Sequence, residues 1–205
     1  MKKLTICGLL CIFLIFPQVF AQQATGFEWE LRNSGEVVIT GYTGTNKEVT
    51  IPNAISGMPV TIIGDNAFAD KQLTRVNIPN SVIYIGDFAF ADNRLTSIRI
   101  PKGVVYIRDG AFAGNRLTSV TLPDSVKFIG THAFSRNRLT GITIPPSVVD
   151  IGLSVCQENP LTSSTSGENM PLDPSYPGAG LLEVGIFGIE VSFDQAYRNS
   201  GRRAG

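Results

Sequence analysis

Side chains that carry out chemistry are scarce in this sequence. The 205 residues include one histidine, His132, and three cysteines. There is no phosphate-binding loop, no dinucleotide fingerprint and no G-x-S-x-G nucleophile motif. One imidazole and one thiol outside the N-terminal segment cannot build a repeated metal site. We therefore expect no catalytic residue, no cofactor and no metal. An enzyme would have to depend on His132, and its activity would be lost in His132→Ala.

Charge is equally sparse and is balanced. Only 17% of the residues are charged, and 17 basic side chains face 17 acidic ones. A formal net charge of zero argues against nucleic-acid binding driven by counterion release. The hydrophobic fraction of 43% is ordinary for a folded chain, which excludes full disorder. With 21 glycines and 12 prolines, the composition favours turns and disfavours a helix bundle.

The one long apolar run lies at the N-terminus. Lys2 and Lys3 precede an apolar stretch, Leu9–Phe16, and Val19-Phe20-Ala21 suits a cleavage site. This pattern predicts a secretory signal peptide over residues 1–21 and a secreted, periplasmic or cell-surface protein. The run is too short for a good membrane-spanning helix, so no transmembrane span is expected in the mature chain.

Removal of this segment leaves a single cysteine. Cys7 and Cys11 belong to the predicted signal peptide, and Cys156 is the only one that remains. A lipoprotein would use Cys11, but the bulky Leu10 stands where a small residue is preferred. No intrachain disulfide can form in the mature chain, so its stability must come from packing.

From Leu73 onward the sequence repeats every 22 residues. Four segments align without gaps: 73–94, 95–116, 117–138 and 139–160. A preceding copy, from Asn46 to Gln72, carries five extra residues around Ser56-Gly57-Met58-Pro59. A fixed period in this range predicts a solenoid of stacked turns.

Apolar residues recur at fixed positions when each copy is numbered from its leucine. Positions 1, 4 and 6 follow L-x-x-Φ-x-Φ (Φ, apolar), and the last three alternate as in a strand, which a proline at position 7 ends. Positions 10 and 13 predict a second short extended segment on the opposite side of the coil. Alanine at position 17 precedes a phenylalanine that should fill the coil centre. The predicted aromatic spine is Phe68, Phe90, Phe112 and Phe134. Cys156 takes this position in the last copy, which predicts a small core residue.

The motif IPNSVIYIGDFAF resembles the BspA-like leucine-rich repeats, also called the Treponema pallidum type. The resemblance runs from Glu48 to about Leu161. It implies a mostly β leucine-rich-repeat solenoid of about five 22-residue repeats. It also implies a secreted or surface protein of spirochaetes or other host-associated bacteria or protists. Characterised members of the family are adhesins for matrix proteins or partner bacteria, and the family offers no catalytic residues to carry over.

Segments on both sides of the array are expected to cover its ends, because a solenoid exposes apolar cross-sections. Phe27, Trp29 and Leu31 alternate with glutamates, and Val37–Ile39 follow a turn, which predicts a β-hairpin. The predicted organisation is a signal peptide (1–21), an N-terminal cap (22–45), the repeat array (46–161), a linker loop (162–180) and a degenerate C-terminal cap (181–205).

The first candidate binding surface, which we call the strand face, consists of the outward positions 3 and 5 of each strand. Its candidate binding residues are Arg75, Asn77, Ser97, Arg99, Ser119 and Thr121. The pattern fits a solvated sheet surface or a shallow site for protein or glycan. Variable side chains on a rigid scaffold are how repeat arrays recognise partners.

The second candidate surface, the aromatic face, is formed by position 12. Its candidate binding residues are Tyr84, Tyr106 and Phe128, beside Ile83 and Val105 at position 11. Exposed, these side chains would form an apolar patch of the kind found at partner or dimer interfaces. The alternative is a self-stacked ladder that shields the coil.

Two polar columns follow at positions 21 and 22. The asparagines at position 21 should cap backbone groups in the turn. Position 22 holds Arg94, Arg116 and Arg138, whose like charges require compensation. Asp87, Asp92 and Asp109 are the expected ion-pair partners, and an anionic-glycan site is the alternative interpretation.

Together these patterns predict a secreted or surface-exposed protein that mediates protein–protein binding. The resemblance implies that the partner is a host extracellular-matrix protein or a bacterial protein, as for an adhesin. The alternative is a self-associating structural component of the bacterial envelope, which would form a homo-oligomer. No nucleic-acid partner is expected.

Overall fold

The computed structural model describes residues 25–166, with side chains described through residue 162. The strands are β1 (Phe27–Leu31), β2 (Val37–Tyr42), β3 (Glu48–Thr50), β4 (Ala54–Ile55), β5 (Met58–Ile63), β6 (Arg75–Asn77), β7 (Tyr84–Ile85), β8 (Ile98–Arg99), β9 (Tyr106–Ile107), β10 (Val120–Thr121), β11 (Phe128–Ile129), β12 (Gly141–Ile144), β13 (Asp150–Ile151) and β14 (Ser163–Ser166). No helix occurs within these residues. The predicted signal peptide and C-terminal cap lie outside the described residues, as does most of the linker.

Each turn of the coil contributes two short parallel strands. One carries the strand-face positions and the other carries the aromatic-face positions. Val120 pairs with Ile98 and Phe128 with Tyr106, so residues 22 apart occupy equivalent places on neighbouring turns. The all-β solenoid of about five turns is therefore confirmed.

The two rows of strands differ in continuity. The aromatic-face row is part of one sheet in the order β1-β2-β5-β7-β9-β11-β13, with β4 beside β5. The strand-face row is hydrogen-bonded in pairs, β3-β6, β8-β10 and β12-β14. Proline follows five of these strands, β3, β6, β8, β10 and β12, within two residues and has no N–H to donate, which keeps these ladders short.

The predicted aromatic spine runs through the coil centre. Phe68, Phe90, Phe112 and Phe134 are fully buried. Successive ring centroids lie 5.0, 5.3 and 5.5 Å apart, with nearly parallel planes. Tyr42 continues the stack at 5.6 Å from Phe68. Aromatic pairs contribute about 0.5–1.5 kcal/mol each beyond the area they bury, so the spine stabilises every junction between turns.

The turns of the coil use left-handed backbone conformations at two fixed positions. Phe88, Gly110 and His132, at position 16, have φ of 54–59°. Asp92 and Arg136, at position 20, have φ of 52°. Gly110 also leaves room for a neighbour, because a Cβ there would collide with the Phe88 ring. The repeat therefore fixes the backbone of each turn even where the side chain varies.

A β-hairpin occupies the place predicted at the N-terminal end. β1 pairs antiparallel with β2, and β2 pairs parallel with β5, so the hairpin extends the long sheet. Phe27 and Trp29 pack against the core. Leu31, expected to be half-buried with them, is instead 52% exposed, because it lies at the hairpin end beside the turn. The segment boundaries themselves stay predictions.

The five inserted residues of the first copy form a second, smaller hairpin. β4 pairs antiparallel with β5 across a tight turn at Ser56 and Gly57, whose φ values are 53° and 79°. Positive φ at both central residues of a two-residue loop matches the right-handed twist of the two strands that it connects. The insertion therefore extends a strand without disturbing the register of the next turn.

The structure corrects one boundary at the other end. The sequence analysis assigns a loop from residue 162, but Ser163–Ser166 form β14, which pairs in register with β12. Leu161-Thr162 repeats the Leu-Thr pair that opens each of the four ungapped copies. A sixth rung therefore begins here. The apolar pattern does not indicate it, because Ser164 and Ser166 occupy the positions that hold isoleucine, valine or leucine in the earlier copies.

Candidate binding surfaces

The strand face is formed as the sequence predicts. All six candidate residues are exposed: Arg75, Asn77, Ser97, Arg99, Ser119 and Thr121. The intervening Val76, Ile98 and Val120 are buried, so inward and outward positions alternate along each strand. Thr121 pairs directly with Arg99, which shows that side chains 22 apart stand side by side on this face.

An asparagine ladder holds the backbone behind this face. Asn93, Asn115 and Asn137 are buried, and Asn159 is half-buried. Each Oδ1 accepts the N–H of the leucine that opens its own copy, at 2.8–3.1 Å. Each Nδ2 donates to a phenylalanine carbonyl of the preceding turn, at 2.8–2.9 Å. The predicted capping is confirmed, and it links every pair of turns just before the exposed strand.

The arginines of position 22 lack the ion pairs expected for them. Within residues 25–166 the ion pairs are Arg108–Asp87, at 3.4 Å, and Arg136–Asp92, at 3.1 Å. The prediction that Arg94, Arg116 and Arg138 pair with these aspartates is wrong. The left-handed turn at position 20 brings Arg136 to Asp92, two turns away, whereas Arg108, at position 14, pairs with Asp87 of the preceding turn.

The aspartates of position 15 have a structural role. Asp65, Asp87 and Asp109 each accept, through Oδ1, the backbone N–H of the same position one turn later, at 2.9–3.1 Å. They form a second side-chain ladder parallel to the asparagines. Within residues 25–166 neither Asp87 nor Asp109 pairs with an arginine of position 22, and Asp87 pairs instead with Arg108 through the same Oδ1.

On the aromatic face the three candidate rings stack and remain partly exposed. The Tyr84 and Tyr106 centroids lie 5.8 Å apart, and those of Tyr106 and Phe128 lie 4.8 Å apart. Tyr106 is still 36% exposed, and its neighbour Ile83 is 41% exposed. Burial is the main cause that raises the pKa of Tyr84, and Asp87 and Asp65 add to it against the opposing effect of Arg108. The ladder that the sequence offered as one alternative therefore exists, and it leaves an apolar edge at the surface.

One exposed aromatic side chain belongs to neither candidate surface. Phe88 is 46% exposed, and its ring lies over the backbone of Gly110. Its left-handed φ of 54° is uncommon for a bulky residue. This outward turn position holds a glycine, a histidine and a serine in the later copies, so it forms no column of one side-chain type.

The scarce chemical side chains are not assembled into a reactive centre in the described part of the chain. No group of three His, Cys, Asp or Glu side chains within residues 25–166 could hold a metal ion. His132 is exposed on a turn. Cys156 packs against the core as predicted, and burial raises the pKa of its thiol to about 12. A thiol with so high a pKa is protonated at neutral pH and is a poor nucleophile.

Residues 25–166 contain no helix with the length and apolar composition that crossing a bilayer requires.

This geometry defines a leucine-rich-repeat solenoid, and the comparisons with known proteins specify its type. Residues 60–171 match the BspA type leucine rich repeat region, in six copies. The chain belongs to this family. No protein with a curated description matches it.

Solved structures show the same architecture. A leucine-rich-repeat protein of T. pallidum (TpLRR) is 26% identical, with a TM-score of 0.66 over 88% of this chain and 95% of that one. A leucine-rich repeat protein from Bacteroides ovatus is 29% identical, with a TM-score of 0.61 over 69% of this chain and 40% of that one. One from Eubacterium ventriosum is 23% identical, covers 72% of this chain and 44% of that one, and with a TM-score of 0.57 shows the fold alone. The chain spans less than half the length of these last two proteins.

Proposed function

We propose that this protein is a secreted or surface-exposed, adhesin-like protein that binds a partner protein through the strand face. The observation that carries this proposal is the row of exposed side chains on successive, register-locked strands. Membership in the BspA-type family supports protein binding as its general role. The partner would be a host extracellular-matrix protein or a protein of another bacterium.

The dimensions of the strand face suit a modest protein interface. Strands β3, β6, β8, β10, β12 and β14 follow one another at about 4.8 Å, which gives a face about 24 Å long. Arg75 and Arg99 stand on this face without an ion pair among the described residues. Arginine is enriched among the residues that dominate binding energy, and two unpaired guanidinium groups favour an acidic patch on the partner.

The test is charge reversal on the strand face, measured against a control of equal charge. Arg75→Glu with Arg99→Glu is compared with Lys102→Glu plus Lys127→Glu, whose exposed lysines lie outside positions 3 and 5. Binding to a panel of immobilised extracellular-matrix proteins is measured by biolayer interferometry. The first variant should weaken binding at least tenfold, about 1.4 kcal/mol, and the control less than threefold. Equal binding by both variants would refute the strand face as the binding site.

Export has its own test. Expression of the full sequence in a bacterial host should yield a mature chain that begins at Gln22, as read by N-terminal sequencing of the exported protein. Retention of Met1–Ala21 on the exported chain would contradict the predicted cleavage.

A second candidate function is self-association as an envelope component through the aromatic face. The exposed edge of Tyr106 and the neighbouring Ile83 favour it. Light scattering coupled to size exclusion should then show a concentration-dependent oligomer that Tyr84→Ser with Tyr106→Ser abolishes, while the Arg75→Glu, Arg99→Glu variant retains it. A monomer at all concentrations would remove this candidate.

A further inference from the structure

The arginine column, defined as Arg94, Arg116 and Arg138, is a set of three like charges that the fold stacks in line. All three side chains are exposed. Each backbone N–H donates to the leucine carbonyl that opens its own copy: Arg94 to Leu73 at 2.8 Å, and the next two to Leu95 and Leu117 at 2.9 Å. Each follows an asparagine of the ladder. Successive arginines are therefore held about 4.8 Å apart along the solenoid axis.

Nothing in the described part of the chain neutralises these three charges. The ion pairs within residues 25–166 involve Arg108 and Arg136 instead. Asp87 and Asp109 are engaged in the position-15 ladder, and Asp92 is engaged with Arg136. Like charges at this spacing repel one another, and a ligand with evenly spaced negative groups would relieve the repulsion.

The surroundings of the column are hydrophilic and neutral. Thr96, Thr118 and Thr140 are exposed and lie two residues beyond each arginine, across a buried leucine. Their hydroxyl groups can donate to and accept from a sugar. Arg136, which is close in sequence, has its charge balanced by Asp92. A strip of guanidinium groups beside a strip of hydroxyl groups thus runs across consecutive turns.

We propose that the arginine column binds a linear sulfated or carboxylated polysaccharide that lies along the solenoid axis. The guanidinium group is planar, always charged, and bonds sulfate or carboxylate oxygens in pairs. A polysaccharide fits better than a nucleic acid for two reasons. Proteins that bind single-stranded nucleic acid combine positive charge with aromatic stacking platforms, and the stacked rings of this chain lie on the other row of strands. The net charge of the sequence is also zero.

The test uses heparin as the probe and the mature chain from Gln22 to Gly205. Affinity is measured by isothermal titration over a series of NaCl concentrations. The column variant carries Arg94→Gln, Arg116→Gln and Arg138→Gln. Its matched control carries Arg75→Gln, Arg99→Gln and Lys102→Gln, which removes the same number of positive charges from exposed positions elsewhere.

The column variant should bind heparin at least tenfold more weakly at 100 mM NaCl. The slope of log K against log[NaCl] should fall by about 2, because three contacts to a flexible polyanion release about 0.7 counterion each. The control should lose less than threefold. Equal losses in the two variants, or an unchanged slope in the column variant, would overturn the proposal.

Two further arms identify the chemistry. Desulfated, reduced heparin, which lacks both anionic groups, should not bind, and binding equal to that of heparin would overturn the proposal. A single-stranded DNA oligonucleotide should bind more weakly than heparin of equal charge, and tighter, column-dependent binding would assign the site to nucleic acid instead. Circular dichroism of each variant should show the wild-type fold. Matrix-protein binding is tested by substituting Arg75 and Arg99, whereas heparin binding is tested by substituting the arginine column. The two proposals can therefore be refuted independently of each other.

Discussion

Replacing Asn115 by alanine should destabilise the solenoid by about 2–4 kcal/mol. The Asn115 side chain lies in the middle of the ladder, with Oδ1 3.1 Å from the Leu95 nitrogen. Its Nδ2 donates to the carbonyls of Phe90, Phe112 and Ala113 at 2.9, 3.1 and 3.3 Å. The four hydrogen bonds are lost together, but their loss is not equally costly.

The neighbouring rungs retain partners for all three carbonyls. Phe90 still receives a hydrogen bond from Asn93, and Phe112 still receives one from Asn137. The carbonyl of Ala113 still accepts the N–H of Asp92. Only the buried N–H of Leu95 is left without a partner, at about 1–3 kcal/mol. The small cavity and the lost shared bonds add roughly 1 kcal/mol more.

The assay is equilibrium unfolding in urea, followed by far-ultraviolet circular dichroism. Asn159→Ala is the matched control, because Asn159 makes the corresponding bonds on a half-buried rung near the end of the described array. Water can reach the Leu139 N–H there, so the expected cost is about half as large. A cost below about 0.5 kcal/mol for Asn115→Ala, or equal costs at both rungs, would refute the reasoning.

Three other outcomes follow from the same structure. Thr61→Val should stabilise the fold by about 1 kcal/mol in the urea assay, because the buried Thr61 hydroxyl has no hydrogen-bond partner, whereas destabilisation would show that it has one. Phe112→Ala should cost about 3–5 kcal/mol, because it removes a fully buried ring from the spine, and Phe88→Ala should cost under about 1 kcal/mol at its exposed turn; similar costs would contradict the spine as the core. Cys156 has a pKa raised by burial to about 12, so its contribution to stability is complete below pH 9 and is lost as the pH rises towards 12. Relative to Cys156→Ala, the wild type should lose up to about 1.4 kcal/mol per pH unit above pH 9 in urea unfolding, and parallel pH profiles would contradict the burial of the thiol.

Features that depend only on the repeat were predictable from the sequence. Phe90 and Phe112 stack because an identical residue recurs at every turn, and Asn93 and Asn115 form a ladder for the same reason. In a solenoid a side chain meets its own copy one turn away. The period of 22 therefore specifies both the neighbour and the environment.

Features that depend on the path of a single turn were not predictable. Arg136 reaches Asp92, 44 residues earlier, because the left-handed backbone at position 20 directs both side chains to one spot. The sequence does not predict β14, because its apolar pattern is missing at Ser164. The pairing of β14 with β12 uses backbone groups, which leave no such pattern. Backbone pairing and turn geometry have no signature in hydrophobic periodicity.

The exposure of the two candidate surfaces was predictable only in part. Alternation within a strand placed Arg75 and Arg99 outside, as observed. For the aromatic face the sequence allows either a stacked ladder or an exposed patch. The structure combines features of both, because Tyr106 stacks on Phe128 and keeps 36% of its surface exposed. Partial burial of a ring depends on side-chain packing between turns, which periodicity does not determine.

The account depends most on residues 22 apart lying directly beside one another on the strand face. Disulfide trapping tests this in the chain from Gln22 to Gly205 with Cys156→Ala, which contains no native cysteine. Arg99→Cys and Thr121→Cys form the pair that the observed register places opposite each other. Neighbouring strands at about 4.8 Å lie within the Cα separation that a disulfide accepts. We expect this pair to oxidise to completion under mild oxidant and to leave no free thiol in the folded protein. Arg99→Cys with Ser119→Cys, two residues out of register, should stay largely reduced, and preferential oxidation of that second pair would contradict the stacking on which both proposed surfaces depend.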